Sequence, residues 1–251
     1  MIAPYPTPAE IRYPPAMSDV SESPRFQVSV NGVVQTTCGT GRRDTLMILL
    51  TWGAHDPDAL ENALYDEADL GPWLQLEVGS QDTTTELSRT WLRMEAFAPG
   101  DVVTVRVLEP GPVDAPQATW LLREGPFDVP FRHVARGDAS SAGREDLREA
   151  RFGIRWSGEL RRTIGVGRVG SFGALVDWSA QAGDAKPDAT GDLPHVDPSP
   201  PVEIMLWGRS PRYPELRRWP LPARLACGDE VSFEILGPGP SDASVPMRDI
   251  P

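Results

Sequence analysis

Alternation of apolar and polar residues dominates this chain and predicts β-strands. Residues 26–30 alternate in this way and lead into Asn31-Gly32, a dipeptide typical of a tight hairpin turn. Residues 152–156 repeat the alternation, and Ser157-Gly158 after them predicts a second such turn. Residues 103–107 alternate again, with valine at every second position. The nearly continuous apolar run over 46–52 predicts a buried central strand, although periodicity alone also allows a short helix there.

The chain matches itself when it is shifted by 126 or 128 positions. At the first shift, 8 of the 27 residues in 26–52 are identical to those in 152–178. At the second shift, 12 of the 27 residues in 89–115 are identical to those in 217–243, including a Pro-Gly-Pro-x-Asp-Ala segment. Two ordered blocks at similar spacing indicate an internal duplication. We therefore predict a mainly β fold of two tandem, homologous β-sandwich or barrel-like repeats.

The repeats divide the chain into four predicted segments. These are a Pro-rich tail over 1–23, an acidic β repeat over 24–116, a connector over 117–150 and a second β repeat over 151–251. The first repeat contains Asp56-Pro57, an N-cap followed by proline, which predicts one short helix. The second repeat has 179–201 at this place, rich in Pro, Gly, Asp and Ala, which predicts a mobile loop.

The start of the chain carries no pattern typical of export. Residues 1–25 lack the apolar run of a secretory signal, and no apolar stretch is long enough to span a bilayer. Residues 1–16 fit either a dispensable tail or a start upstream of Met17. Two cysteines, Cys38 and Cys227, are too few for a disulfide scaffold and suit a reducing compartment. We interpret Cys38 as a small core residue. We therefore predict a cytoplasmic protein.

The net charge of −12 argues against nucleic acid or membrane as a partner. Residues 24–116 hold six basic and fourteen acidic side chains, so −8 of this charge lies in the first repeat. We name as the acidic cluster six carboxylates with no basic residue among them: Asp56, Asp58, Glu61, Asp66, Glu67 and Asp69. This cluster is the predicted binding surface for a basic protein. The alternatives are a solvated helix face that keeps the protein soluble, or pairing with the Arg-rich second repeat, within one molecule or in a homo-oligomer. The second repeat groups Arg161, Arg162 and Arg168 near its hairpin.

Motifs that resemble catalytic or cofactor sites lack the expected context. Gly165 to Gly170 match the spacing of a dinucleotide-binding loop, but the repeat alignment makes this segment a strand connection. The histidines His55, His133 and His195 have no counterpart in the other repeat, so we predict no metal site. Common hydrolase, metalloprotease and dithiol motifs are missing. The sequence thus predicts neither cofactor nor enzymatic activity.

Residues shared by the repeats are predicted to be structural. The repeated aspartates follow glycine or a Pro-Gly-Pro segment, where they typically cap turns, and they are Asp101, Asp229, Asp114 and Asp242. Four tryptophans recur as pairs and are predicted core residues: Trp52, Trp178, Trp91 and Trp219. The other four are candidates for a carbohydrate or peptide surface: Trp73, Trp120, Trp156 and Trp207.

Four features together resemble small β-rich bacterial proteins, here in tandem duplicate. They are Asn31-Gly32, the Thr51-Trp52 strand end, Leu-Gln-Leu-Glu-Val-Gly at 74–79 and Pro-Gly-Asp-Val-Val-Thr-Val-Arg-Val at 99–107. The resemblance implies a bacterial origin and a β fold, and it carries no activity or site residue.

We expect a non-enzymatic, cytosolic protein-binding module. Its specific form is an immunity or inhibitor protein that engages a basic partner, such as a toxin, through the acidic cluster. The alternatives are a glycan- or peptide-binding β-sandwich module, and an enzyme whose loop-built site leaves no linear motif.

Overall fold

The structure is a computed structural model that describes residues 23–39, 44–54, 72–82, 86–122, 129–134, 147–179, 202–210, 213–221 and 224–247. Within these ranges the chain is mainly β and forms no helix. The strands are β1 (Arg25–Val30), β2 (Val33–Gly39), β3 (Asp44–Ala54), β4 (Trp73–Asp82), β5 (Leu87–Glu95), β6 (Val102–Leu108), β7 (Ala118–Leu121), β8 (Arg132–His133), β9 (Arg151–Trp156), β10 (Glu159–Ile164), β11 (Gly170–Ser179), β12 (Val202–Ser210), β13 (Tyr213–Arg218), β14 (Arg224–Leu225), β15 (Glu230–Leu236) and β16 (Val245–Pro246).

The strands form two sheets, and neither sheet closes on itself. The six-stranded sheet has the order β10-β9-β15-β6-β1-β2. The ten-stranded sheet has the order β16-β13-β12-β11-β3-β4-β5-β7, with β14 beside β12 and β8 beside β5. We call β1–β7 the first half and β9–β16 the second half. Strands of both halves lie side by side in both sheets, so the halves share one sheet system.

The predicted alternation produces the core. Residues in β1 and β4 are alternately buried and half-exposed, as expected for strands that cover a core with one face. The rings of Phe152 in the six-stranded sheet and Phe172 in the ten-stranded sheet lie 4.6 Å apart between centroids. One cluster of buried apolar residues therefore fills the space between the sheets. This open two-sheet arrangement is consistent with a β-sandwich rather than a barrel.

The two halves meet along two antiparallel strand pairs. In the ten-stranded sheet β3 pairs with β11, and Leu49 lies opposite Leu175, its counterpart at a shift of 126. In the six-stranded sheet β6 pairs with β15, and Thr104 lies opposite Ser232, its counterpart at a shift of 128. Equivalent residues thus face each other at both seams, as in a two-fold symmetric interface.

The predicted hairpin turns are present in both halves. Asn31 and Gly32 have φ values of 52° and 77°, and Ser157 and Gly158 have 52° and 80°. Two positive φ values are what a type I′ turn requires, so each dipeptide reverses the chain between its two flanking strands.

The apolar run over 46–52 is a central strand, since β3 pairs with both β4 and β11. Residues 165–169 connect β10 of the six-stranded sheet to β11 of the ten-stranded sheet and open no helix, as the repeat alignment predicts. The predicted helix at Asp56-Pro57 and nearly all of the predicted loop over 179–201 lie outside the described residues. Part of the predicted connector belongs to the ten-stranded sheet, because β7 and β8 pair with β5.

A membrane-crossing helix, long and apolar enough to span a bilayer, does not occur in the described part of the chain.

Candidate functional site

The acidic cluster lies outside the described residues. All six of its carboxylates fall in 55–71, as does His55, and His195 falls in 180–201. The structure therefore gives no geometry for the predicted partner-binding surface, and that prediction stays a prediction.

The first pair of repeated aspartates caps turns, as predicted. Asp101 Oδ2 accepts a hydrogen bond from Ala98 N at 2.7 Å, and Asp229 Oδ2 accepts one from Ala226 N at 2.8 Å. Each aspartate thus closes the turn that precedes β6 or β15. These carboxylates have a structural role in both halves.

The second pair of repeated aspartates caps the edges of the six-stranded sheet. Asp114 Oδ2 accepts from Thr37 N of β2 at 2.7 Å, and Asp242 Oδ2 accepts from Thr163 N of β10 at 2.9 Å. The backbone N–H groups of Asp114 and Asp242 donate in return to Thr37 O and Thr163 O, each at 2.8 Å. These bonds occupy outward-facing backbone groups that would otherwise be open to strand addition.

A β-bulge adds to this protection at the same place in both edge strands. Gln35 of β2 and Arg161 of β10 are the extra residues of these bulges. Because a bulge breaks the regular ladder, it discourages pairing with a further strand.

The second half contains an open groove with a cavity volume of about 580 Å³. We define the groove by the residues that line it: Trp156, Ser157, Arg161, Arg162, Leu221 and Asp229. Its volume lies in the range of about 300–1,000 Å³ that is usual for ligand sites. The groove combines two guanidinium groups with an aromatic ring and one carboxylate, so it is the candidate functional site.

Three elements position these side chains. The β9–β10 hairpin carries Trp156 at the end of β9, and both arginines on β10. Trp156 and Leu221 are half-buried and pack against the core. The turn before β15 supplies Asp229, which Ala226 N holds in place. The groove therefore rests on the β9–β10 hairpin, the segment after β13 that carries Leu221, and a capped turn.

The arginines of the groove are held loosely. Arg162 Nε donates to Pro220 O at 3.0 Å. Arg161 Nη2 lies 2.7 Å from Glu159 Oε2, with side chains 49% and 70% exposed. An ion pair this exposed contributes little stability and is easily exchanged for a ligand.

The first half has different and more buried residues at the equivalent positions. Val30 replaces Trp156 and is 3% exposed, and Thr36 replaces Arg162 and is 4% exposed. Asn31, in place of Ser157, donates from Nδ2 to Asp101 Oδ1 at 2.8 Å. Asp101 is 8% exposed, whereas Asp229 is half-exposed. The same scaffold thus buries three of these positions in the first half and leaves their counterparts Trp156, Arg162 and Asp229 half-exposed in the second.

The other unpaired tryptophans lie elsewhere. Trp73 covers Gly53, and Trp207 covers Gly173, on neighbouring strands of the ten-stranded sheet. In both places a Cβ on the glycine would meet the indole ring at under 3.0 Å. Trp120 is buried, with 9% exposure. Of the four candidates, Trp156 is the one that lines the groove.

Two groups outside the groove have perturbed acidity. Burial, and second the charge of Glu203, raises the pKa of Asp177, which lies directly across from Glu203 on the neighbouring strand. Burial, and second the charge of Glu109, raises the pKa of the Cys227 thiol. Cys38 is fully buried, as predicted for a core residue. No three potential metal ligands come together among the residues that the structure describes.

Sequence reasoning singled out Trp156 and grouped Arg161 with Arg162, but it missed the rest of the groove. Leu221 carried no signal of its own, and Ser157 and Asp229 were each assigned only to a turn. The available signal was the difference between the aligned repeats, since Trp156 and Arg162 replace small uncharged residues.

Comparison of the chain with protein-family models, with curated proteins and with solved structures finds no match.

Proposed function

We propose that this protein is a non-enzymatic binding module that engages a protein partner through the groove of its second half. The observation that carries the proposal is that this half leaves Trp156, Arg162 and Asp229 half-exposed, at positions that the first half buries. Tryptophan and arginine are the residues most enriched where protein interfaces concentrate their binding energy.

An internal duplication of one β-sandwich unit accounts for the two halves. Matched contacts support this proposal beyond the sequence identities. Trp91 Nε1 donates to Asp114 O at 2.9 Å, and Trp219 Nε1 donates to Asp242 O at 2.8 Å. In a duplicated scaffold, residues that make the same contact twice serve the fold. Residues that differ are free to serve a role in one half alone.

The specific form of the proposal is a cytoplasmic immunity or inhibitor protein that acts by occupying its partner. Here the acidic cluster is a second contact surface, for a basic region of the partner. Charge complementarity of this kind chiefly accelerates association, whereas contacts in a groove slow dissociation.

Capture from a host lysate tests the proposal when matched variants are compared. The groove variants are Trp156→Ala and Arg162→Glu, and the charge-matched control is Arg106→Glu, on an exposed position of β6. The cluster variant reverses three charges: Asp58→Lys, Glu61→Lys and Asp66→Lys. We expect a protein that the wild type and the control retain and the groove variants lose, and its purified form should show the same pattern.

Each other outcome has a definite meaning. Loss by the cluster variant alone, with sensitivity to salt, moves the interface to the acidic cluster. Retention of the same proteins by every variant overturns the proposal.

A glycan-binding module is the second candidate. Two observations favour it. Asp229 Oδ1 accepts no hydrogen bond from the described residues, and the half-buried ring of Trp156 lines the same groove. A carboxylate oxygen next to an indole face suits a sugar, with the hydroxyls on the carboxylate and the ring stacked on the indole. Titration with a panel of neutral oligosaccharides distinguishes the two candidates, because binding lost in Trp156→Ala and Asp229→Asn supports the glycan site.

A further inference from the structure

The groove holds polar groups that the fold leaves unused. Arg162 Nε donates a hydrogen bond to Pro220 O, and within the described ranges the two terminal nitrogens of Arg162 have no partner. The same ranges offer none to Trp156 Nε1 or to Asp229 Oδ1. These groups lie around one cavity, so a single ligand can contact them together.

Donors outnumber acceptors in this set. The two arginines and the indole present several N–H groups, against one free carboxylate oxygen. A guanidinium group binds a carboxylate through two parallel hydrogen bonds, and such charge-assisted bonds are about twice as strong as neutral ones. The arrangement therefore favours an acidic group that also brings an N–H donor for Asp229, as the backbone of a peptide does.

An apolar wall lies beside the donors. Trp156 and Leu221 both line the groove and pack against the core, which keeps their position fixed. An apolar side chain of the ligand gains free energy when it covers these two surfaces. The preferred peptide thus carries an apolar residue next to an acidic one.

Recognition through side chains suits this edge of the sheet. The groove lies along β10, but Asp242 already occupies Thr163 N, and Arg161 forms a bulge. A long strand cannot pair along β10 without displacing these contacts. Binding must therefore depend on the side chains that enter the cavity.

We propose that the groove of the second half recognises an extended peptide segment in which an acidic side chain binds Arg162 and a neighbouring apolar side chain covers Trp156 and Leu221. This inference rests on the proposed function and names the class of partner segment. It is independent of the acidic cluster, whose expected partner is basic.

Fluorescence anisotropy with the full chain tests this inference. The probe is a fluorescein-labelled peptide of about twelve residues composed of glutamate, leucine and serine, with matched versions that carry glutamine or lysine in place of glutamate. We expect the glutamate peptide to bind at least about tenfold more tightly than the glutamine version. Arg162→Ala and Trp156→Phe should each weaken it by about tenfold or more, while Arg106→Ala leaves it unchanged. Arg162→Lys should restore part of the loss, because it keeps the charge and loses the bidentate geometry.

A variant is included only if its unfolding midpoint in urea equals that of the wild type, so that a folding defect is not mistaken for lost binding. Equal affinity for the three peptides, or affinity that ignores Arg162→Ala, overturns the inference. If the lysine or glutamine peptide binds best and Trp156→Phe weakens it, the inference fails and the proposed function stands. If no peptide binds and a neutral oligosaccharide does, both fail.

Discussion

Replacing Asp101 by alanine removes at least two charge-assisted hydrogen bonds, whereas the same change at Asp229 removes the bond from Ala226 N. Asp101 accepts from Ala98 N at 2.7 Å and from Asn31 Nδ2 at 2.8 Å, and it is 8% exposed. Asp229 is half-exposed and accepts from Ala226 N at 2.8 Å. The asparagine and the deeper burial at Asp101 distinguish the two sites, which otherwise share the same turn cap and form a matched pair.

The size of each effect follows from the bonds and the burial. A hydrogen bond to a charged group contributes about 1.5–3 kcal/mol, and a buried donor left without its partner adds a desolvation cost. We expect Asp101→Ala to lower the free energy of unfolding by about 3 kcal/mol. At the half-exposed Asp229, water replaces the lost acceptor, and the expected loss is about 1 kcal/mol.

Urea unfolding followed by tryptophan fluorescence and by circular dichroism measures both losses, with an unchanged m-value as the condition for comparison. Asn31→Ser gives the first half the residue of the second half. In that background the loss from Asp101→Ala should fall by about 1–2 kcal/mol. Equal losses at Asp101 and Asp229, or a loss at Asp101 that Asn31→Ser does not change, would refute this reasoning.

Three further predictions concern buried or half-buried groups. Because burial and Glu203 raise the pKa of Asp177, the folded state binds a proton more tightly than the unfolded state, and the free energy of unfolding rises as pH falls through that pKa. Asp177→Asn should therefore raise the free energy of unfolding at neutral pH by roughly 0.2–1 kcal/mol and flatten its pH dependence in urea titrations. Destabilisation at neutral pH would contradict this prediction. Trp52 Nε1 donates to a buried backbone carbonyl at 2.8 Å, whereas Trp178 Nε1 finds no partner in the described ranges. Trp52→Phe should therefore lower the free energy of unfolding in urea by about 1 kcal/mol more than Trp178→Phe does. Equal losses would refute the assignment. Cys227 is exposed, but its pKa is raised, so less of it is thiolate at about pH 8. Iodoacetamide should therefore alkylate Cys227 more slowly than it alkylates free cysteine. A rate at or above that of free cysteine would contradict this prediction.

Local sequence signals predicted most of the strands because their causes are local. Alternation over 26–30 and the Asn31-Gly32 turn suffice for a hairpin, since burial on one face and two positive φ values need no distant partner. The turn caps at Asp101 and Asp229 followed from the same kind of reasoning.

The pairing between the halves was not accessible from the sequence. The shift of 126 relates Leu49 to Leu175, but it does not say that the two residues lie opposite each other, because separate domains would give the same alignment. Pairing across such a distance depends on packing of the complete core. The groove was missed for a similar reason, since Leu221 reaches it from a segment far from Trp156 in sequence.

The seams at β3–β11 and β6–β15 allow a substitution in one half without the same substitution in the other. A symmetric dimer of two identical chains would form the same kind of seam, but there every substitution appears twice. Here the partners belong to one chain, so a substitution such as tryptophan in place of valine alters one side and leaves its counterpart buried and intact. Covalent linkage also keeps the two sides together at any protein concentration. One half can therefore acquire a new surface while the other continues to hold the sheets together.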